Sequence, residues 1–497
     1  MRVEQSRVCG GEYQSSQASS KSRRLLSHGR CRTADQVYPQ VTINALFDEV
    51  LLDIFEFYLT CPLPPSSHKE DAWHTLVHVC RRWRYVVFGS PRRLDLRLLC
   101  TNGRLLNTLD IWPELPIVIH VDGEGIYPLP RVANVVSMLK WRDRVCKIFT
   151  NDVPNSFLKE VATLTEPFPA LIELDLTTMF ERDPPILSDS FLGGSVPRLR
   201  SLNLWGIPFP ALGKLLLTAR DLVTLSLGFI PPSGFISPDA MVDILSTLPK
   251  LKTFDLSFDH FDTPQIWDHR ASQRSPALTR VVLPALTNFE FYGNSRYLDG
   301  IMSQIDAPLD SIAVTFSNEL VVSDIPLLRD FISFISRTQI PNGPHRLDTS
   351  FSSIDVEISL FQRKGDVDFK VLNLRILCSC YAIDSQLSSL ARACSTFLPP
   401  LPNLELLGIF NSKHLPSLWQ HGVDNTLWME LLRPFTTVKD LVLDELVVLS
   451  VASFLQGLAR EQVTTILPAL QNIFLEGVHW SGPVPEGIVK FIIAREL

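Results

Sequence analysis

The chain lacks a long basic block, and with 46 Lys and Arg against 53 Asp and Glu its formal net charge is -7. It therefore carries no electrostatic footprint for nucleic acid. It also lacks an apolar run long enough for a bilayer. The most apolar window, Leu446–Ala459, is shorter than the ~20 residues a membrane helix needs, contains Ser and Gln, and is flanked by Glu445 and Arg460. It reads as a core helix, and no membrane partner is expected. The first 40 residues have no apolar stretch of the secretory kind, and the nine cysteines are odd in number and scattered. Both suit a reducing compartment, cytoplasm or nucleus.

Catalytic signatures are missing as well. No G-x-x-x-x-G-K-[ST], H-E-x-x-H or G-x-S-x-G occurs, and Asp122–Gly125 holds only a G-x-G fragment. Cys61, His68, His74, His78 and Cys80 crowd together, and His74 and His78 have the i, i+4 spacing that can share a metal. The intervening loop has no Cys-x-x-Cys pair, however, so these side chains read as packing residues. Cys378 and Cys380 alternate on a strand-like segment and point to opposite faces, which excludes a shared metal or disulfide. No metal, cofactor or enzymatic activity is expected.

What is present begins after residues 1–39, a Ser-, Gln- and Arg-rich segment without apolar periodicity that reads as disordered. A mitochondrial presequence would share its composition, but the segment shows no amphipathic face. In Ile43–Leu59, Leu46, Val50, Leu51, Ile54, Phe55 and Tyr58 recur at helical spacing, with Asp48 and Glu49 in the first turn, where the helix dipole favours acid. Trp73, Leu76, Val77, Cys80, Trp83 and Val87 then predict one helix of about four turns, stopped at Ser90-Pro91. Val79, Val86 and Phe88 lie off that stripe, so this helix is apolar on more than one side, as expected where one side is core and another meets a partner.

The opening L-x-x-E-[VL]-L-x-x-I-F, followed by V-C-R-x-W-R, resembles the F-box, the module that docks on the Skp-type adaptor of a cullin-RING ubiquitin ligase. The leucine-rich-repeat F-box proteins of fungi are the nearest likeness. The resemblance covers Ile43 to about Leu94 and implies adaptor contact or core roles for Leu46, Val50, Leu51, Ile54, Val79, Cys80, Trp83 and Val86. Phe47 stands where the family usually has proline, a residue suited to the N1 position.

From Leu171 onward an apolar-x-x-apolar-x-apolar pattern returns, led by Leu171, Leu199, Leu222, Leu251, Leu286, Leu309, Leu404, Val438 and Leu470. The usual spacing of 23 to 35 residues is similar to stretched leucine-rich repeats. Val145 and Ile148 mark a further copy upstream. Segments around Phe351–Val356 and Phe369–Leu374 are less regular copies within the gap after Leu309. Helical stretches such as SPDAMVDILSTL, IPLLRDFISFIS and WMELLRPF lie between copies, so each unit reads as strand then helix. The consensus Asn is met only by Asn294, which predicts an irregular arc.

The fold class expected is therefore α/β: a short α-helical F-box at 40–98, a linker with first, irregular repeats at 99–165, and a leucine-rich-repeat-like solenoid of parallel strands alternating with helices at 166–497. Strand alternation assigns positions two, four and six after each lead residue to the open, concave side. Those positions hold Glu173, Asp175, Asp255, Glu290, Asp440, Asp444 and Glu476 but no Lys or Arg. An acidic face with aromatic anchors is expected, with Trp205, Asp255, Glu290, Tyr292, Phe410, Asp440 and Phe474 binding a basic protein. The plainer reading is that basic residues are disfavoured on the sheet and a ligand binds through loops. The function expected is a substrate-recognition subunit of a Skp/cullin/F-box-type ligase, with a non-ligase leucine-rich-repeat scaffold as the alternative.

Overall fold

Each apolar lead residue of the repeat is buried, and a strand begins two residues after it. Side chains alternate across a strand, so the buried positions form a core layer and the intervening ones a second face. The computed structural model describes residues 2–4, 43–60, 72–101, 113–122, 136–178, 184–258, 280–317, 343–365, 367–378, 383–398, 401–411, 423–476 and 484–496. Cys61, His68, Cys380 and the expected helix at 325–336 lie outside them. The chain divides into two units: residues 7–99 with 110–115, and residues 1–6, 100–109 and 116–497.

The smaller unit is helical. Its first helix, α1 (Asp48–Thr60), carries Asp48 and Glu49 in its first turn as expected. The single long helix expected after it is instead two, α2 (Ala72–Val79) and α3 (Arg81–Gly89). Cys80 sits between them in an extended conformation (φ -158°, ψ 170°), and its Sγ accepts a hydrogen bond from the Trp83 amide at 3.5 Å, capping α3. Leu51, Leu52, Phe55 and Leu59 of α1 are buried with Trp73, Leu76 and Val77 of α2 and Val86 and Val87 of α3. The Phe55 and Trp83 rings lie 4.7 Å apart, and the Trp73 indole donates to the Arg97 carbonyl at 2.8 Å. Arg82 clasps Asp48 at 2.6 Å, and Arg93 reaches Asp53 and, at 3.4 Å, Glu56.

The larger unit is mixed α/β, built on one large, mostly parallel sheet with helices between its strands. In chain order the strands are β1 (Arg2–Glu4), β2 (Leu98–Cys100), β3 (Ile117–Asp122), β4 (Val145–Asn151), β5 (Glu173–Thr177), β6 (Ser201–Trp205), β7 (Thr224–Ile230) and β8 (Thr253–Phe258). They continue with β9 (Val281–Val282), β10 (Asn288–Gly293), β11 (Ile305–Asp306), β12 (Ser311–Phe316), β13 (Arg346–Phe351), β14 (Asp355–Lys364), β15 (Val367–Leu377), β16 (Leu406–Asn411), β17 (Asp440–Asp444) and β18 (Asn472–Glu476). β2 crosses the boundary between the units, and β9 pairs with β11 in a separate short ladder. From β1 the main order runs β1-β18-β17-β16-β13-β14-β15-β12-β10-β8-β7-β6-β5-β4-β3.

The expected strand-then-helix alternation appears in Pro238–Ser246 after β7, Asn425–Leu432 after β16 and Glu445–Gln456 after β17. Ser237 caps the first of these by accepting from the Ala240 amide. The apolar window at Leu446–Ala459 falls in the third, and Val447, Val448, Val451, Phe454 and Leu455 are buried there. Among the described residues no helix is long and apolar enough to cross a membrane. Asn294 forms no turn ladder; its side chain caps Ser295–Met302 by accepting from the Arg296 amide at 2.8 Å.

The gap after Leu309 departs from a purely parallel array. There β13, β14 and β15 form an antiparallel meander, with β15 parallel to β12 and β13 parallel to β16. The two less regular copies belong to this inserted meander, and their order in space is reversed relative to the chain. Val145 and Ile148 do open another copy, since β4 pairs in parallel with β5.

Candidate protein-docking surfaces

On the helical unit, α1 is apolar on two sides. Leu51, Leu52, Phe55 and Leu59 face the core. Phe47, Val50, Ile54 and Phe57 recur every three or four residues on the other side and are 77%, 40%, 41% and 71% exposed. Tyr58 borders them, and Val79 and Tyr85 are exposed on the neighbouring helices. Monomeric proteins rarely leave so many large apolar side chains together in water unless they serve an interface.

This geometry sorts the eight residues for which the resemblance implies adaptor contact or a core role. Val50, Ile54 and Val79 are accessible, and Leu46, Cys80 and Trp83 are half-buried. Leu51 and Val86 are core residues, because the Leu51–Phe55 side of α1 and the Val86–Val87 side of α3 pack inward, so neither can touch a partner while the unit is folded. Phe47 also stands differently from expectation. α1 starts at Asp48 and the Phe47 carbonyl accepts from the Leu51 amide at 3.1 Å, so Phe47 precedes the first helical position and proline's N1 advantage would not apply to it.

His74 lies against Trp73 with ring centroids 3.9 Å apart, and Cys80 serves as a cap. Among the described residues no group of three His, Cys, Asp or Glu is arranged to hold a metal.

On the larger unit, the alternate positions of the repeat share one half-exposed face, as alternation requires. Backbone register aligns Phe149, Asp175, Asn203, Ser226, Asp255, Glu290 and Ala313 in one row across β4 to β12. Two residues further along the strands, a second row carries Thr177, Trp205, Gly228, Ser257, Tyr292 and Thr315. A bulge in β7 lifts Phe229 out of line at a positive φ of 48°. Its ring sits 4.9 Å from Trp205 and 6.4 Å from Tyr292, nearly parallel to the latter. Gly228 makes room for this arrangement, since a Cβ there would lie 2.0 Å from the Trp205 ring.

The expected binding residues do not form one patch. Trp205, Asp255, Glu290 and Tyr292 lie on β6 to β10, whereas Phe410, Asp440 and Phe474 lie on β16 to β18. From β10 to β16 the distance is about 24 Å, because the inserted meander intervenes. The face is not purely acidic either. Lys147 reaches Glu173 at 2.7 Å, Arg346 reaches Asp348 at 2.7 Å, Lys370 reaches Glu357 at 3.2 Å and Arg375 donates to Asp355 at 2.9 Å. These bases sit on β4 and on the meander, outside the nine copies that display the pattern most clearly. Lys147 compensates Glu173 on β5 and the other three bases neutralise the meander, which leaves Asp175, Asp255 and Glu290, among the described residues, as the acidic part of the face without a paired base.

Burial raises the carboxyl pKa values there. It lifts Asp175 despite hydrogen bonds from Asn203 and Thr177, and Asp255 despite one from Ser226. Glu290 is raised first by burial and then by the charge of Asp255, its direct cross-strand neighbour. A carboxyl raised on folding binds its proton more tightly in the native state, so stability falls as pH rises from the ordinary carboxylate range through the raised values. Asp255→Asn with Glu290→Gln should therefore raise the thermal midpoint at pH 7. Calorimetry in acid, where both carboxyls are protonated in either state, should show that gain shrink toward zero.

Scanned against protein-family models and searched against curated proteins, the chain matches none.

Proposed function

We propose that the chain is a substrate receptor of a Skp/cullin/F-box-type ubiquitin ligase, non-catalytic itself, with α1 to α3 docking on a Skp-type adaptor and the sheet face binding a target protein. The observation that carries this reading is the second apolar stripe of α1, exposed in a segment whose residues resemble an F-box. Burying Phe47, Val50, Ile54 and Phe57 at about 1.5 to 3 kcal/mol each is a gross gain of order 10 kcal/mol, before association and ordering costs are subtracted. Such a receptor acts by proximity, raising the effective concentration of its target near a ubiquitin-loaded enzyme carried by other subunits. The cytoplasm or nucleus is where it would work.

Co-expression of the full-length chain with a Skp-type adaptor should yield a complex that survives size-exclusion chromatography. A folded chain that elutes without the adaptor would reject the ligase reading. In the scaffold reading the same stripe, Phe47 included, serves another complex.

A further inference from the structure

We infer that the β6–β10 part of the sheet face is an arginine-binding subsite, in which Trp205, Phe229 and Tyr292 flank a guanidinium while Asp255 and Glu290 accept its hydrogen bonds. The inference rests on the reading that this face binds a target protein, and it names the side chain recognised.

Three observations meet there. The first is charge. The row from Phe149 to Ala313 contains three carboxylates and no Lys or Arg. Glu290 is an exposed residue whose carboxyl is only partly desolvated by its neighbours, and it has no hydrogen bond or ion pair among the described residues. It faces Asp255 directly across the ladder, where like charges destabilise a sheet. The nearest cation on the neighbouring row, Arg375, is held by Asp355.

The second is the rings. Trp205, Phe229 and Tyr292 form a continuous, partly exposed aromatic surface. Its construction requires a bulge, a glycine too close to the Trp205 ring to be replaced, and a phenylalanine at positive φ that its Ser257 contact helps to hold: the Phe229 amide donates to Ser257 Oγ at 2.8 Å. A bulky residue in that conformation is strained, which ordinary sheet packing would avoid.

The third is spacing. Ring row and carboxylate row are two residues, about 7 Å, apart along the strands. A guanidinium stacked on an aromatic face can direct its in-plane N–H groups sideways over such a span, and its planar fork matches a carboxylate in two-point contact. An ammonium group, compact and strongly hydrated, uses the rings and the carboxylates together less well.

The test uses the purified full-length chain and a fluorescein-labelled peptide, Arg-Gly-Gly-Arg-Gly-Gly-Arg, with its lysine and citrulline analogues, read by fluorescence anisotropy. Saturable binding of the arginine peptide is expected. The citrulline analogue and the Asp255→Asn, Glu290→Gln variant should each weaken it at least about tenfold, and the lysine analogue several-fold. Trp205→Ala with Tyr292→Ala should weaken it comparably. Asp221→Asn with Glu461→Gln removes the same net charge from exposed positions off this face and should leave it unchanged. A thermal melt of the Asp255, Glu290 variant, which should be no lower than the parent's, separates loss of binding from unfolding. Absent binding, equal affinity for the citrulline or lysine peptide, or undiminished binding by that variant would overturn the assignment. The assay needs no adaptor, so an adaptor complex without peptide binding removes only the subsite, and peptide binding without an adaptor complex removes only the ligase reading.

Discussion

Val50→Asp with Ile54→Asp is expected to weaken adaptor capture by the full-length chain about a hundredfold or more while leaving its far-ultraviolet circular dichroism unchanged. Both side chains are about 40% exposed on the outer stripe of α1, so each aspartate remains solvated in the free protein. On docking, each would lose about 1.5 to 3 kcal/mol of apolar burial and bring an unpaired carboxylate into an apolar contact, and every 1.4 kcal/mol is a factor of ten in affinity. Leu51→Asp, one residue away, should behave differently. Leu51 is fully buried, so its replacement puts a charge in the core and should unfold the helices whether or not an adaptor is present. Titrating labelled adaptor against the three proteins, with a thermal melt of each, separates the effects. Undiminished capture by the Val50, Ile54 variant would exclude this stripe as the docking surface.

Trp73→Ala should destabilise the helical unit by about 3–5 kcal/mol, the usual cost of truncating a buried tryptophan. Trp73 is almost wholly buried, stacks on His74, meets Phe88 edge-on and ties α2 to the segment after α3 through its bond to the Arg97 carbonyl. Total stabilities of small domains are only about 5–15 kcal/mol, so the loss is a large share of the whole. Trp73→Phe keeps most of the packing but leaves the Arg97 carbonyl without that donor, and should cost about 1–3 kcal/mol. Limited proteolysis across residues 43–99 with increasing urea would rank the variants, and a tryptophan-to-alanine change that left the protection of this region unaltered would refute the anchoring role.

The lead residues of the repeat were legible because a strand with one buried face imprints a period of two, and strand starts follow Leu171, Leu199 and their successors without exception. The break at Cys80 left no such mark. The apolar spacing of Trp73, Leu76, Cys80 and Trp83 continues through it, no proline or glycine signals it, and the cap is a sulfur atom whose role depends on a backbone angle. For Leu51 and Val86 the resemblance left adaptor contact and core role both open, because periodicity shows that a helix is apolar on two sides without showing which side its neighbours cover. Lys147, Arg346 and Arg375 escaped because their strands were faint copies or none, so the face looked more uniformly acidic than it is. Phe229 was invisible for a related reason: alternation predicts an inward residue there, and only the bulge turns it outward.

The reversed meander has a consequence for assembly. In a simple array each new strand docks on the one made just before it, so order can spread from copy to copy. Here β13 emerges first after β12 but must be placed beyond β15 and β14, which have yet to be synthesised. The block β13–β15 closes through its own local hairpins, then joins β12 through its last strand and β16 through its first. Until it arrives, β12 and β16 are both unpaired parallel edges, open to mispairing with other chains. Residues 346–377 thus act as a keystone, and a chain cut on either side of them would expose an edge for aggregation rather than leave a shorter version of the same sheet.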